Sequence, residues 1–180
     1  MTLWRIRATV DDRPGFLSVL TASLALKAIN ILSVQVHTTE AGAVDEFLVE
    51  APDELTVSDM VAAVIRGRGS DPWVSRADVR GLVDEPTRVL GLAARVVADP
   101  GELEAALVDL LGPCEVISRP DAIGGREGFT PGAMALADPA GGTLVIRRPE
   151  PAFTPAENAR AHALVRLAAV ATSEAAPEAP

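Results

Sequence analysis

Aromatic residues are scarce: two Trp, four Phe and no Tyr among 180 residues. A core assembled without them must be aliphatic and alanine-rich, and a hydrophobic content of 48% is ample for one. Cysteine is reduced to Cys114, so no disulfide closes within the chain and a reducing compartment is the default. Lysine is reduced to Lys27, and 16 basic residues face 25 acidic ones, for a formal net charge of −9. Phosphate backbones require clustered basic residues, so neither nucleic acid nor an anionic membrane surface is an expected partner. Apolar runs fall well short of the roughly 20 residues of a spanning helix. The early Arg5, Arg7, Asp11 and Asp12 do not suit a secretory leader. The expectation is a soluble, cytoplasmic protein of one domain or two small ones.

Catalytic vocabulary is also sparse. His37 and His162 have no Cys, His or acidic neighbour at metal-ligand spacing, so no metal and no cofactor are expected. Cys114 lacks a local reactive signature and reads as a small buried hydrophobe. No Ser-His-Asp pattern, glycine elbow or carboxylate dyad is present. Gly124-Gly125-Arg126-Glu127-Gly128 has the glycines of a phosphate cradle but no helix pattern after it, so it reads as a loop. The expectation is a protein that is not an enzyme.

The informative stretch is residues 4–36. Ile6, Ala8 and Val10 alternate with Arg5, Arg7 and Thr9, the pattern of a half-buried strand. Asp11-Asp12-Arg13-Pro14-Gly15 ends it, and the fixed φ of Pro14 suits the start of a helix there. Leu17, Leu20, Leu24 and Ala28 follow at helical spacing, and β-branched residues return over 29–36 as a second strand. Exposed helix N–H groups and carboxylates thereby meet in one loop.

Over residues 2–79 the chain resembles an ACT domain, the small amino-acid-sensing module, through Asp12-Arg13-Pro14-Gly15-Phe16-Leu17 and Ile29-Asn30-Ile31. The resemblance implies a ferredoxin-like βαββαβ fold that pairs into homodimers. It also implies a ligand held between the first loop of one copy and the second strand of its partner. One position departs from the pattern: Ala28 stands where many members carry a glycine, which reaches positive φ freely.

The rest of the first half fits that order. Residues 44–51 alternate, with Phe47 and Val49 on one face and Glu46, Leu48 and Glu50 on the other. In a split βαβ sheet the first and third strands are neighbours, which sets Arg5 and Arg7 on the face of Glu46 and Glu50. Thr56 and Asp59 read as a helix start over a stripe of Val57, Met60, Val61, Val64 and Ile65. Gly67 and Gly69 end that helix, and residues 73–79 read as a fourth strand. At about 80 residues such a domain is marginal alone, and dimerisation is a natural remedy.

A new pattern begins at Asp84-Glu85-Pro86. Residues 86–172 predict an α/β domain. It has a helix over the stripe Val89, Leu92, Ala93, Val96 and Val97, a second helix capped by Asp99-Pro100-Gly101-Glu102, a strand at 115–118 and a loop over 119–132. A hairpin at 134–137 and 143–146 follows, and then a helix opened by the capping box Thr154-Pro155-Ala156-Glu157 and running to about Ala171. The hairpin and the helix after it resemble the closing segment of a GAF domain, a match too short to carry over a pocket. Residues 173–180 read as a disordered tail.

Two readings of the first loop stay open. Asp11 or Asp12 meets the ammonium of an amino acid whose carboxylate takes N–H groups of Gly15, Phe16 and Leu17, beside Arg13 and Pro14. Alternatively, Asp12 only caps the helix. Asn30 and Ile31 either reach a ligand across a dimer interface or serve only the turn into the strand. The expected function is non-catalytic sensing of an amino acid by a homodimer formed through residues 1–82. The alternatives are an interaction module that keeps the fold as a dimeriser, and an enzyme regulated by this domain.

Overall fold

Alternation and helical spacing in the first half resolve into six elements. The computed structural model describes residues 1–39, 42–77, 85–120 and 127–175, and the chain divides into two units, Met1–Val83 and Asp84–Pro180. The first unit runs β1 (Thr2–Val10), α1 (Phe16–Ala25), β2 (Asn30–Thr39), β3 (Gly42–Ala51), α2 (Val57–Arg66) and β4 (Ser70–Arg76). Its strands lie in the order β2-β3-β1-β4 with antiparallel neighbours. This is the ferredoxin-like βαββαβ arrangement.

The buried face follows the alternation. Trp4, Ile6, Ala8 and Val10 of β1 and Phe47, Val49 and Ala51 of β3 pack with Leu20 and Leu24 of α1 and Met60, Ala63 and Val64 of α2. Fully burying a Leu, Ile, Phe or Met side chain contributes about 1.5–3 kcal/mol, so this layer holds the unit together. The helices approach closely. A Cβ on Gly67 would come within 2.8 Å of Leu20 Cα, and Ser23 Oγ donates to the carbonyl of Ala63 at 2.7 Å. On the open face, Glu46 takes both arginines: Arg7 at 2.7 Å and Arg5 at 3.3 Å. Glu50 stands opposite Leu3 and Asn30 instead.

Both helices end in the same way. Ile29 N–H reaches the carbonyl of Leu24 and Ala28 N–H that of Ala25; Gly69 N–H reaches Val64 and Arg68 N–H reaches Ile65. These are paired Schellman closures, each needing one left-handed residue. That residue is Ala28 (φ 56°) in the first and Arg68 (φ 65°) in the second. The second closure returns the chain so tightly that β4 begins at Ser70 rather than Trp73. Val79, expected in that strand, lies outside the described residues.

The second unit contains α3 (Glu85–Ala98), a 3-10 turn (Pro100–Glu102), α4 (Leu103–Leu111), β5 (Glu115–Arg119), β6 (Gly128–Thr130), β7 (Ala133–Ala137), β8 (Thr143–Arg147) and α5 (Pro155–Ala175). Its sheet order is β5-β8-β7-β6. Leu107, Met134, Leu136, Leu144, Ile146, Ala161 and Ala168 are central to its core. Asp99 caps the 3-10 turn by accepting from Gly101 N–H at 2.9 Å.

Two expectations change here. The loop over 119–132 contains β6, a strand too short to leave a periodic signature, and Gly128 belongs to it; Gly124, Gly125 and Arg126 lie outside the described residues. The last helix runs to Ala175, past Ala171 and into the expected tail, because Ser173, Glu174 and Ala175 continue it without a breaker. Among the described residues no helix is long and apolar enough to cross a membrane.

Candidate functional site

The loop after β1 forms a tight turn, in which Arg13 N–H bonds to the carbonyl of Asp11 at 2.8 Å and Phe16 N–H to that of Arg13 at 3.3 Å. The helix therefore starts at Phe16, not at Pro14. Gly15 is its N-cap residue at φ 95°, and no side chain caps it. A Cβ on Gly15 would meet nothing within 4 Å. Glycine is needed there for its left-handed backbone rather than for packing space. The reading of Asp12 as a helix cap is thereby corrected: the turn places Gly15 at the cap and leaves Asp11, Asp12, Arg13 and Pro14 exposed. Phe16 and Leu17 turn inward and pack against the core of the unit.

Asn30 and Ile31 are elsewhere. Asn30 opens β2 opposite Glu50, which lies opposite Leu3 at the start of β1. The loop follows Val10, at the far end of β1. Between Leu3 and Val10 a strand advances roughly 23 Å at about 3.3 Å per residue. One chain therefore does not bring Asn30 to the loop.

What the chain does bring to the loop is Asp45, which sequence reasoning missed. It lies on the helix-bearing face of β3, between Ala8 of β1 and Val36 of β2, and is 0% exposed. Among the described residues neither carboxylate oxygen has a hydrogen-bond partner. Burial first, and then the negative charge of Asp12, pushes its pKa up to about 6. The signal was available, because Asp45 shares the inward alternation of Phe47 and Val49. Gly42, at the start of the same strand, packs so closely that a Cβ there would lie 2.5 Å from the carbonyl oxygen of Val10. This end of β3 therefore sits against the base of the loop.

A second buried charge is structural. Arg148 donates to the carbonyls of Leu111, Pro151 (2.6 Å) and Ala152 (3.3 Å). It also donates to both oxygens of Glu157 at 3.0 and 3.1 Å and stacks 4.1 Å from the centroid of the Phe153 ring. Glu157 meanwhile accepts from Thr154 N–H at 2.7 Å, completing the capping box. With its donors shared among four residues of three segments, this arginine clamps the unit.

The remaining candidates do not gather. His37 lies within β2 opposite Val44, His162 lies on α5, and Cys114 is half-buried with its thiol pKa raised by burial. Among the described residues no three His, Cys, Asp or Glu side chains lie together as a metal site would require.

No family profile matches the chain, and no curated protein matches it. Among solved structures it is similar to a formyltetrahydrofolate deformylase from Pseudomonas putida KT2440, at 13% identity and TM-score 0.34, over 42% of this chain and 28% of that one. It is also similar to an unknown protein from Galdieria sulphuraria, at 15% identity and TM-score 0.38, over 92% and 91% of the two chains. A third similarity is to the ligand-free regulatory subunit of aspartate kinase from Thermus thermophilus, at 12% identity and TM-score 0.33, over 98% and 94%.

Proposed function

We propose that the protein is a non-catalytic regulatory module of the ACT type that binds an amino acid between two copies of its N-terminal unit. The observation that carries this reading is the uncapped first turn of α1, which opens at Gly15 beside exposed Asp11 and Asp12. Phe16 N–H is already held by the Arg13 carbonyl at 3.3 Å, which leaves Gly15 and Leu17 N–H as the expected donors; with the helix dipole they favour a carboxylate there, and nearby carboxylates favour an ammonium.

The geometry supports a paired state as well. β2 is a terminal strand of its sheet and carries half-exposed Leu32 (42%), Val34 (42%) and Val36 (50%). A long apolar edge strand is a template for pairing with another chain. Antiparallel pairing of two β2 strands would set Asn30 and Ile31 of one copy at the loop end of the other. That joins the two halves of the expected site, which a single chain holds apart. Ala28 already holds the left-handed conformation for which a glycine would be chosen, so it leaves the backbone route between α1 and β2 intact.

Sedimentation equilibrium with and without each of the standard amino acids, together with thermal shift, tests the reading. The expected result is a dimer at micromolar concentration that one amino acid or a small group of them stabilises. A monomer unaffected by every amino acid would overturn it. A dimer that binds none would favour the interaction-module reading.

A further inference from the structure

We infer that Asp45 is the acceptor for the ammonium group of the ligand whose carboxylate sits at the first turn of α1, which makes it a binding residue that selects primary amines. The inference rests on the proposed amino-acid reading and deepens it.

Three observations meet at this residue. The first is its isolation: a carboxylate 0% exposed, with neither oxygen partnered. Buried polar groups are nearly always satisfied, and one that is not needs a reason. The second is its electrostatic surroundings, in which the described residues give no cation that lowers its pKa. Ala8 and Val36 flank it in the sheet, α1 carries no charged residue, and Asp12, the charge that acts on it, is negative. The pair of acids creates a local negative potential that a cation would relieve. The third is position. Asp45 leaves the sheet on the face bearing α1, at the end where the Asp11–Gly15 turn exposes the helix N-terminus. A positive end for a carboxylate and an orphan carboxylate for an ammonium lie at one end of one unit, which matches the two poles of an α-amino acid. Its neighbours on the ligand side reach solvent: Asp12 is exposed and Val36 is 50% exposed.

A purely structural role is a poor account of this residue. Asparagine or valine at this position would fold more readily than an unpaired buried charge. Function and stability therefore oppose each other here, and the experiment uses that opposition.

The full chain is screened by thermal shift against the standard L-amino acids, and the best binder is titrated calorimetrically into wild type and Asp45→Asn. The same titrations use the matching 2-hydroxy acid, which keeps the carboxylate and lacks the ammonium. Asp45→Asn should raise the unfolding temperature of the free protein and weaken the amino acid by about ten- to hundredfold. It should leave the hydroxy acid unchanged. Wild-type affinity for the amino acid should fall as pH drops through about 6, where the ligand's α-ammonium and α-carboxylate do not titrate, and this fall should vanish in Asp45→Asn.

Equal affinity of wild type and Asp45→Asn for the amino acid would overturn the role of Asp45 and leave the amino-acid reading standing. No binding by wild type would overturn both. Should Asp45→Asn fail to fold, the wild-type pH profile decides, and a flat profile between about pH 5 and 7 overturns the inference.

Discussion

Arg7 stands directly opposite Glu46 across β1 and β3, and its Nε donates to Glu46 Oε2 at 2.8 Å. Their side chains are only 9% and 16% exposed, so this pair belongs between a surface ion pair and a buried one. Arg5 reaches the other oxygen of the same carboxylate, which makes Glu46 the shared member.

That sharing sets the first expectation. A double-mutant cycle on Arg7→Ala and Glu46→Ala should give a coupling of about 1 kcal/mol, above the usual surface value. Glu46→Ala should cost more than Arg7→Ala, because it removes the carboxylate that both arginines share, whereas Arg7→Ala leaves Glu46 paired with Arg5. Urea unfolding of the four proteins measures both. A coupling near zero would place the pair among solvated charges.

Ala28 and Arg68 both occupy left-handed backbone at the ends of α1 and α2. Ala28→Gly should stabilise the protein by about 0.5–1 kcal/mol, because relief of left-handed strain outweighs the added freedom of the unfolded chain. A shift of the urea midpoint to lower concentration would contradict this.

Asp45 gives a pH dependence whose sign is unusual for an acid. Its pKa is raised by folding, from the ordinary carboxylate range to about 6. The folded state therefore binds more protons than the unfolded state between about pH 4 and 6. The stability this group contributes is present below about pH 4 and is lost as pH rises through about 6. Because its neighbours Asp12 and Val36 reach solvent, the loss is expected to be about 1–2 kcal/mol, less than the full shift implies. Unfolding free energies of wild type and Asp45→Asn, measured across that window, should converge at low pH and diverge above it, with the variant the more stable.

In the C-terminal unit, Arg148 and Glu157 form a buried pair at 3.0 Å. Arg148→Met and Glu157→Gln should each destabilise the protein by about 3–5 kcal/mol, since each leaves the other partner's charge or hydrogen bonds uncompensated. Arg148→Met additionally frees carbonyls of Leu111, Pro151 and Ala152. Thermal or urea unfolding measures this, and a loss below about 1 kcal/mol would mean that the clamp is unimportant.

Gly15→Val should disturb the backbone of the loop as well as any ligand held there. At an ordinary first-turn helical position valine costs only a few tenths of a kcal/mol to about 1. At φ 95° a β-branched residue is strained whatever space surrounds it, so a loss of binding in that variant would report on the backbone as well as the ligand. Asp45→Asn leaves the backbone alone.

Much of the fold was legible because its signals are local. Two-residue alternation in β1 and β3, the helical stripe of α2 and the Thr56–Asp59 and Thr154–Glu157 caps each depend on residues a few positions apart, and spacing alone determines which side faces inward. The order β, α, β, β, α, β and the pairing of Arg7 with Glu46 follow from those elements. The GAF resemblance of the C-terminal segment is not confirmed, and β6 is too short for any periodicity to betray it. The site was legible only in part. The loop and the helix that follows it stand out in the sequence, but the start of that helix at Phe16 depends on the left-handed turn of Gly15, which no spacing encodes. The orphan state of Asp45 arises only when β1 and β2 flank it in the folded sheet without supplying a donor. The clamp of Arg148 gathers carbonyls from residues 111 to 152 that are neighbours only after folding. Hydrophobic periodicity, read along the chain, determined the layers; the satisfaction or isolation of buried polar groups was decided by tertiary structure, because it depends on what every other segment brings to the same point.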